Sequence, residues 1–252
     1  MTTLKGTARL TGLAYLGLAI SGMLGFLLIR QQLYVPGDAA ATTANLVGNE
    51  ALARFGVAVD LTVVLTQALA ALLFFKLFRR VDAVAAGAIA AFGLVNSVVI
   101  LVAAVFSATA LDVALSGIAP TGDQAATAQL LYELADASWS LGGMFFGLWL
   151  IPMGWLAWRS GYLPRPLGWV LMVGGVGYVL STYVSYLAPG LAESSSALTV
   201  PATVGELWMV GYLLWKGVRP SVAHPAGTTS AQAGQARAEI DAGETFELSS
   251  TQ

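Results

Sequence analysis

The sequence predicts an all-α integral membrane protein: a bundle of six transmembrane helices, with both termini cytoplasmic and a short outer helix between spans 1 and 2. Three observations predict this fold class. Hydrophobic residues make up 57% of the chain and charged residues only 10%, whereas a typical soluble domain carries about 25% charged residues. The mean hydropathy is +0.73. Apolar runs of about 20 residues, long enough to cross a bilayer, recur along the chain.

The six predicted spans and the side of the membrane on which their ends lie follow from the apolar runs and the cations. Lys and Arg concentrate in segments that share one side if the N-terminus is inside, and only Arg30 and Arg54 fall on the other. This asymmetry predicts that both termini lie in the cytoplasm. The predicted spans are Leu10–Ile29, Phe55–Leu77, Val84–Leu111, Ala137–Trp158, Leu167–Leu187 and Leu198–Lys216.

The connecting segments carry local signals. Asp38, after the Pro36-Gly37 turn, is a natural N-cap for a short outer helix. Thr121 and Gln124 form a capping box at the start of the fourth helix. After residue 219 the chain becomes rich in Ala, Gly, Ser, Thr and Glu. We therefore expect a transmembrane domain over residues 1–219 and a disordered cytoplasmic tail over residues 220–252.

Small residues recur at four-residue spacing in two spans. Gly17, Ser21 and Gly25 do so in the first, and Gly143 and Gly147 in the fourth. Such spacing lets two helix backbones approach closely in lipid. Packing within the bundle is the favoured interpretation and a dimer interface is the alternative, so the sequence leaves the oligomeric state open.

Composition argues against several classes of function. The net charge is −2 and no Arg/Lys-rich stripe is present, which argues against nucleic acid binding. The chain has no cysteine, and its single histidine, His224, lies outside the apolar runs. Thiolate sites and histidine-based metal or haem sites in the membrane are therefore excluded, and we expect no metal and no cofactor. No P-loop, GxSxG or HExxH motif occurs, so no catalytic residue is predicted.

Acidic and polar side chains within the apolar runs are the candidate functional residues. A charge in the bilayer costs roughly 2.5–3.5 kcal/mol on insertion scales and normally faces a partner or a cavity. At about 1.5 Å of rise per residue, Glu206 and Gln67 lie near mid-membrane, and Asp60 lies about 9 Å further out. The predicted ligand-binding residues are Glu206, Asp60, Gln67, Asn96, Tyr178 and Arg54.

These residues have two interpretations. Polar groups concentrate in the outer half of the bundle, which suggests a cavity open to the outside and closed within. Alternatively, they pair structurally: Asp60 with Arg54 or Arg30, and Glu206 with Gln67 or Tyr178. For Gln67, Asn96 and the tyrosines alone, hydrogen bonding between helices is the favoured interpretation.

Three segments resemble the bacterial domain-of-unknown-function family 4386: VPGDAAATTANLVGNEALARFGVAVDL (Val35–Leu61), WRSGYLPRPLGWVLMVGGVGYVL (Trp158–Leu180) and PATVGELWMVGYLLWKGVR (Pro201–Arg219). The similarity covers about Ala8 to Arg219. It implies a small multispan protein of the bacterial inner membrane and brings no established activity. Its recurrent polar positions match Asp38, Asn45, Glu50, Arg54, Asp60 and Glu206. Related sequences often carry a histidine near Asp136–Leu141, and this chain has none, which weakens any proton or metal role for that helix.

Three functions compete. The favoured one is a binding or transport module that holds a lipid or other amphiphilic small molecule in an outward-facing polar cavity. The alternative is an accessory or regulatory membrane protein that acts on a protein partner through the outer helix or the tail. The third is a membrane enzyme with Asp60 and Glu206 as an acid/base pair, which is the least favoured because nothing accompanies the two acids.

Overall fold

The computed structural model describes residues 4–117 and 122–219. Residues up to Arg219 belong to one compact unit. The tail predicted over residues 220–252, with His224, lies outside the described residues, as does Thr121. Within the described part, the secondary structure is helical throughout and contains no strand.

Six helices are long and apolar enough to cross a membrane, as the sequence predicts. Spans 1 to 4 extend several residues beyond the predicted apolar runs, because polar turns of the same helices continue past the apolar cores. The residues Leu24–Ile29 of span 1 form a π-helical segment. Spans 1 to 6 are Leu4–Leu33, Glu50–Phe78, Ala83–Ser116, Gln124–Ser160, Arg165–Leu187 and Ser196–Trp215.

A ten-residue helix, Ala39–Gly48, lies between spans 1 and 2, and we call it the interspan helix. It begins after Asp38, whose carboxylate accepts a hydrogen bond from the amide of Ala41 at 2.9 Å. Its buried residues Thr42 and Leu46 form the face that packs against the bundle, chiefly against span 4. The interspan helix therefore covers one end of the bundle.

The spans form a closed ring. Each span packs against its neighbours in sequence, and span 1 also packs against span 6. Tyr15, Phe74 and Trp149, from spans 1, 2 and 4, are fully buried at the centre. The Tyr15 ring lies 5.5 Å from each of the other two rings, measured between centroids. This aromatic contact joins three spans in the core.

One end of the bundle gathers most of the cations, and we call it the cationic end. Arg159 of span 4 forms an ion pair with Asp82, the N-cap of span 3. The amide of Arg219 donates to the carbonyl of Tyr162, and Gly217 lies beside Lys5. These contacts bring the start of span 1, the turns at 79–82 and 161–164, and the end of span 6 to the same end.

The start of span 4 differs from the predicted capping box. Asp123 is the N-cap, accepting a hydrogen bond from the amide of Ala126 at 3.0 Å. The Gln124 side chain turns away from its own helix and donates to the carbonyls of Val113 and Ala114 at 3.2 and 2.6 Å. The Val113 carbonyl also accepts the amide of Gly117 at 3.2 Å. The Gln124 amide therefore adds a donor at the last turn of span 3, where helix carbonyls begin to run out of intrahelical partners.

The glycines at four-residue spacing in spans 1 and 4 face other spans of the same bundle, as the interpretation of packing within the bundle predicts. A Cβ atom at Gly147 would lie 2.6 Å from the carbonyl oxygen of Gly175 on span 5. At Gly17 and Gly25 it would lie 3.1 Å from Thr66 and 3.2 Å from Val59, both on span 2. Spans 4 and 5 are therefore in backbone contact, and spans 1 and 2 approach closely.

Candidate functional site

Glu206 on span 6 is half-buried, and one side chain among the described residues forms a hydrogen bond with it. The hydroxyl of Tyr15 on span 1 donates a hydrogen bond to Oε1 of Glu206 at 2.5 Å. Tyr178 on span 5, half-buried against Phe146, interacts electrostatically with Glu206. The structure thus brings Glu206 and Tyr178 together, but the hydrogen bond comes from Tyr15 rather than from Tyr178 or Gln67. The sequence alone does not identify Tyr15 as the partner of Glu206, because a lone tyrosine in an apolar run is usually a core residue.

Gln67 and Asn96 are buried in the core. The Gln67 side chain is 0% exposed, and neither its amide nitrogen nor its oxygen has a hydrogen-bond partner among the described residues. The same holds for the amide nitrogen of Asn96. Gln67 lies near Gly93 of span 3, and Asn96 near Gly142 of span 4. The sequence predicts that Gln67 and Asn96 form hydrogen bonds between helices. Both residues are buried between spans, but these hydrogen bonds are absent from the described part of the chain.

Asp60 on span 2 faces a small cavity. The residue is 7% exposed, and no described side chain or amide donates a hydrogen bond to its carboxylate. The cavity has a volume of about 20 Å³, room for one water-sized group. Ser107 of span 3 and Tyr132 of span 4 contribute polar groups to its lining, and Leu46 of the interspan helix closes one side.

Arg30, at the end of span 1, also lines this cavity and is buried. Its guanidinium donates to Asp136 of span 4 at 2.9 Å and lies 5.9 Å from the centroid of the Trp139 ring. Arg30 interacts with Asp60 only through the longer-range electrostatic attraction between their charges. With both acids ionised, Arg30, Asp60 and Asp136 carry a net charge of −1. We call these three residues with Tyr132 the Asp60 cluster.

Tyr34 lies beside this cluster, in contact with Tyr132. Its ring stacks on that of Tyr132, with the centroids 5.4 Å apart. Burial raises the pKa of Tyr34, and the nearby Glu133 carboxylate raises it further. Tyr34 is therefore a neutral hydrogen-bond donor at physiological pH.

Arg54 lies outside the Asp60 cluster. Its side chain is 59% exposed and forms an ion pair with Glu50, one helical turn earlier, at 2.7 Å. The predicted pairing of Asp60 with Arg54 is therefore not found. A helix surface offers Arg54 a closer acid at the i−4 position than Asp60 at i+6.

Glu206 and Asp60 lie at different levels of the bundle. Glu206 contacts Tyr15 of span 1, whereas Asp60 lies beside Gly25, ten residues further along the same span 1. Ten residues of helix correspond to about 15 Å. Glu206 and Asp60 therefore do not meet in one cavity. Among the described residues, no group of three His, Cys, Asp or Glu side chains is placed to hold a metal ion.

Known proteins include one relative and one family that match this chain. An "Uncharacterized protein" of Archaeoglobus fulgidus is 30% identical over 86 residues, which are 34% of this chain and 48% of the relative. The chain thus matches about half the length of this relative. No solved structure matches. The model of the family described as "Domain of unknown function (DUF4386)" matches residues 10–217, and the chain therefore belongs to that family.

Proposed function

We propose that this chain is a membrane-embedded binding protein, and that the Asp60 cluster binds the cationic or hydrogen-bond-donating group of a small molecule. One observation carries the proposal: the carboxylate of Asp60 is buried, faces a cavity, and receives no hydrogen bond from the described residues. Largely burying a carboxylate is costly unless a donor in the adjoining cavity replaces the hydrogen bonds that bulk water would give it. A bound donor group would remove that cost.

The chemistry of the cluster narrows the class of ligand. Arg30 is committed to Asp136, so the cluster offers an acceptor at Asp60 and a net negative charge. A cavity of about 20 Å³ has room for one ammonium or hydroxyl group. The remainder of such a molecule must extend beyond the cavity, as the tail of an amphiphile would. Primary amines and alcohols with an apolar chain fit this description.

The geometry favours binding over acid/base catalysis. Two catalytic carboxylates must both reach the reacting bond. The span 1 residues beside Glu206 and Asp60, Tyr15 and Gly25, are about 15 Å apart along the helix. Glu206 already accepts a hydrogen bond from Tyr15. These positions support a structural role for Glu206, separate from the ligand site at Asp60.

We also propose that the chain lies in the bacterial inner membrane with both termini in the cytoplasm. The cationic end carries most of the Lys and Arg residues, and short cationic segments stay on the cytoplasmic side. The interspan helix would then be external. Because the chain has no cysteine, single substitutions Asn49→Cys and Ser160→Cys can be labelled in intact cells with a membrane-impermeant maleimide. Labelling of residue 49 alone supports this orientation, and labelling of residue 160 alone would show the opposite orientation.

The ligand proposal is tested by purifying the full chain gently in a mild detergent and identifying co-purifying small molecules by mass spectrometry. We expect a stoichiometric amine or alcohol in the wild type, lost in Asp60→Asn. The matched control is Asp112→Asn, the same change at an exposed acid on span 3, which should keep the compound. Equal retention by both folded variants, or a wild type that carries no such compound, would refute the assignment.

A further inference from the structure

An apolar groove lies between spans 3, 4 and 5, apart from the Asp60 cluster. Its volume is about 370 Å³, and all of its lining residues are nonpolar or aromatic. Along span 3 it extends from Ala85 to Phe92, a length of about 10 Å. Ile151 and Trp155 of span 4 and Met172 of span 5 form the other walls. A groove of this shape and composition suits a hydrocarbon chain.

The groove ends beside fixed positive charge. Ala85 lies three residues after Asp82, and Trp155 lies one turn before Arg159, so the Asp82–Arg159 ion pair is at the mouth of the groove. The guanidinium of Arg159 is 5.9 Å from the Trp155 ring centroid. Arg79 and Arg80, in the turn just before Asp82, are both exposed. Three guanidinium groups and one carboxylate thus lie within a few residues of the mouth along the chain, and together they carry a net charge of +2.

We propose that this groove is a binding site for an anionic phospholipid, with one acyl chain between spans 3, 4 and 5 and the phosphate at Arg79, Arg80 and Arg159. Arginine forms strong, charge-assisted hydrogen bonds with phosphate oxygens. Basic residues at the membrane surface attract anionic lipids by about 1 kcal/mol each. The apolar groove and the charged mouth are thus arranged as the tail and headgroup of one lipid require.

A second copy of the chain fits this surface less well than a lipid. A twofold dimer through the groove would bring the same arginines of both copies to one interface. Like charges placed together oppose association. The phospholipid therefore satisfies both the apolar and the charged part of the site, and a symmetric partner satisfies only the apolar part.

The test uses native mass spectrometry of the full-length protein in a neutral detergent, titrated with dioleoyl phosphatidylglycerol or with dioleoyl phosphatidylcholine. We expect one phosphatidylglycerol to bind the wild type more tightly than phosphatidylcholine. The double variant Arg79→Gln/Arg80→Gln should weaken phosphatidylglycerol binding about tenfold or more. Arg54→Gln removes one charge at the opposite end of span 2 and should leave the affinity unchanged.

A second variant tests the groove itself. Ala88→Trp places a large ring in the groove at a half-buried position, and should abolish retention of the tightly bound lipid with Arg79 and Arg80 intact. Equal binding of the two lipids by the wild type overturns the proposal. So does an unchanged affinity in the double arginine variant. Full competition by inorganic phosphate would assign the arginines to free phosphate rather than to a lipid.

Discussion

The hydroxyl of Tyr15 donates a 2.5 Å hydrogen bond to Glu206, a residue 191 positions later in the chain. This bond joins span 1 to span 6 and so lies where the ring of helices closes. The Tyr15 ring also packs on Phe74 and Trp149, which fixes the direction of its hydroxyl. Glu206 is thereby tolerated within an apolar span, because a protein donor replaces water at its carboxylate.

We expect Tyr15→Phe to lower the free energy of unfolding by about 1–3 kcal/mol, because it keeps the ring and leaves the Glu206 carboxylate without its donor. Unfolding of the detergent-solubilised protein by dodecyl sulfate, followed by tryptophan fluorescence, measures the change. Tyr183→Phe is the control, since Tyr183 is exposed. Equal stability of the two variants would mean that the bond between spans 1 and 6 contributes nothing to the bundle.

The crossing of spans 4 and 5 gives a second prediction. A methyl group at Gly147 would lie 2.6 Å from the Gly175 carbonyl oxygen and 2.9 Å from Cβ of Tyr178, so Gly147→Ala must push the helices apart, at a cost of about 1–3 kcal/mol. Gly211→Ala on span 6 meets nothing within 4 Å and should be neutral or stabilising by up to about 1 kcal/mol, because alanine favours helix. In the same unfolding assay, we expect Gly147→Ala to lower the free energy of unfolding and Gly211→Ala to leave it unchanged or raise it. A lower free energy for Gly211→Ala with no change for Gly147→Ala would contradict the packing.

The sequence predicts the number and order of the spans because each needs only one local property, an apolar run long enough for the bilayer. Close packing at Gly147 is likewise predictable, since small residues at four-residue spacing have a direct geometric consequence. The cap at Asp38 depends on residues adjacent in sequence and is predicted for the same reason. These features are local, so no knowledge of the tertiary arrangement is required.

The partners of the buried polar groups are not predictable in this way. Depth along the membrane places Glu206 and Gln67 at a similar level, but only the rotation of each helix decides which side chains meet. The structure turns Tyr15 toward Glu206, and it pairs Arg30 with Asp136 instead of Asp60. Gln124 shows the same limit, because its acceptors lie on the preceding span rather than on its own helix.

The Gln67 amide leads to a third prediction. Both of its polar atoms are fully buried and have no partner among the described residues. We expect Gln67→Met, which keeps an unbranched side chain of similar length, to raise the free energy of unfolding by about 1–3 kcal/mol, the cost of an unsatisfied buried group. Gln31→Met, at an exposed position of span 1, should change it by less than about 0.5 kcal/mol. A fall in the stability of Gln67→Met would reveal a bound water or ligand that partners the amide.

The two arginines at the interspan-helix end give the fourth prediction, because one is buried and the other exposed. Arg30→Gln leaves Asp60 and Asp136 without a neighbouring cation, and we expect a loss of about 2–3 kcal/mol, less than for a fully buried pair because Asp136 is partly exposed. Arg54→Gln breaks an exposed i,i+4 pair and should cost at most about 0.5 kcal/mol. Adding Asp60→Asn to Arg30→Gln should restore part of the lost stability, since it removes one of the two uncompensated acids. A double variant as unstable as the sum of its single changes would show that Arg30 and Asp60 do not interact.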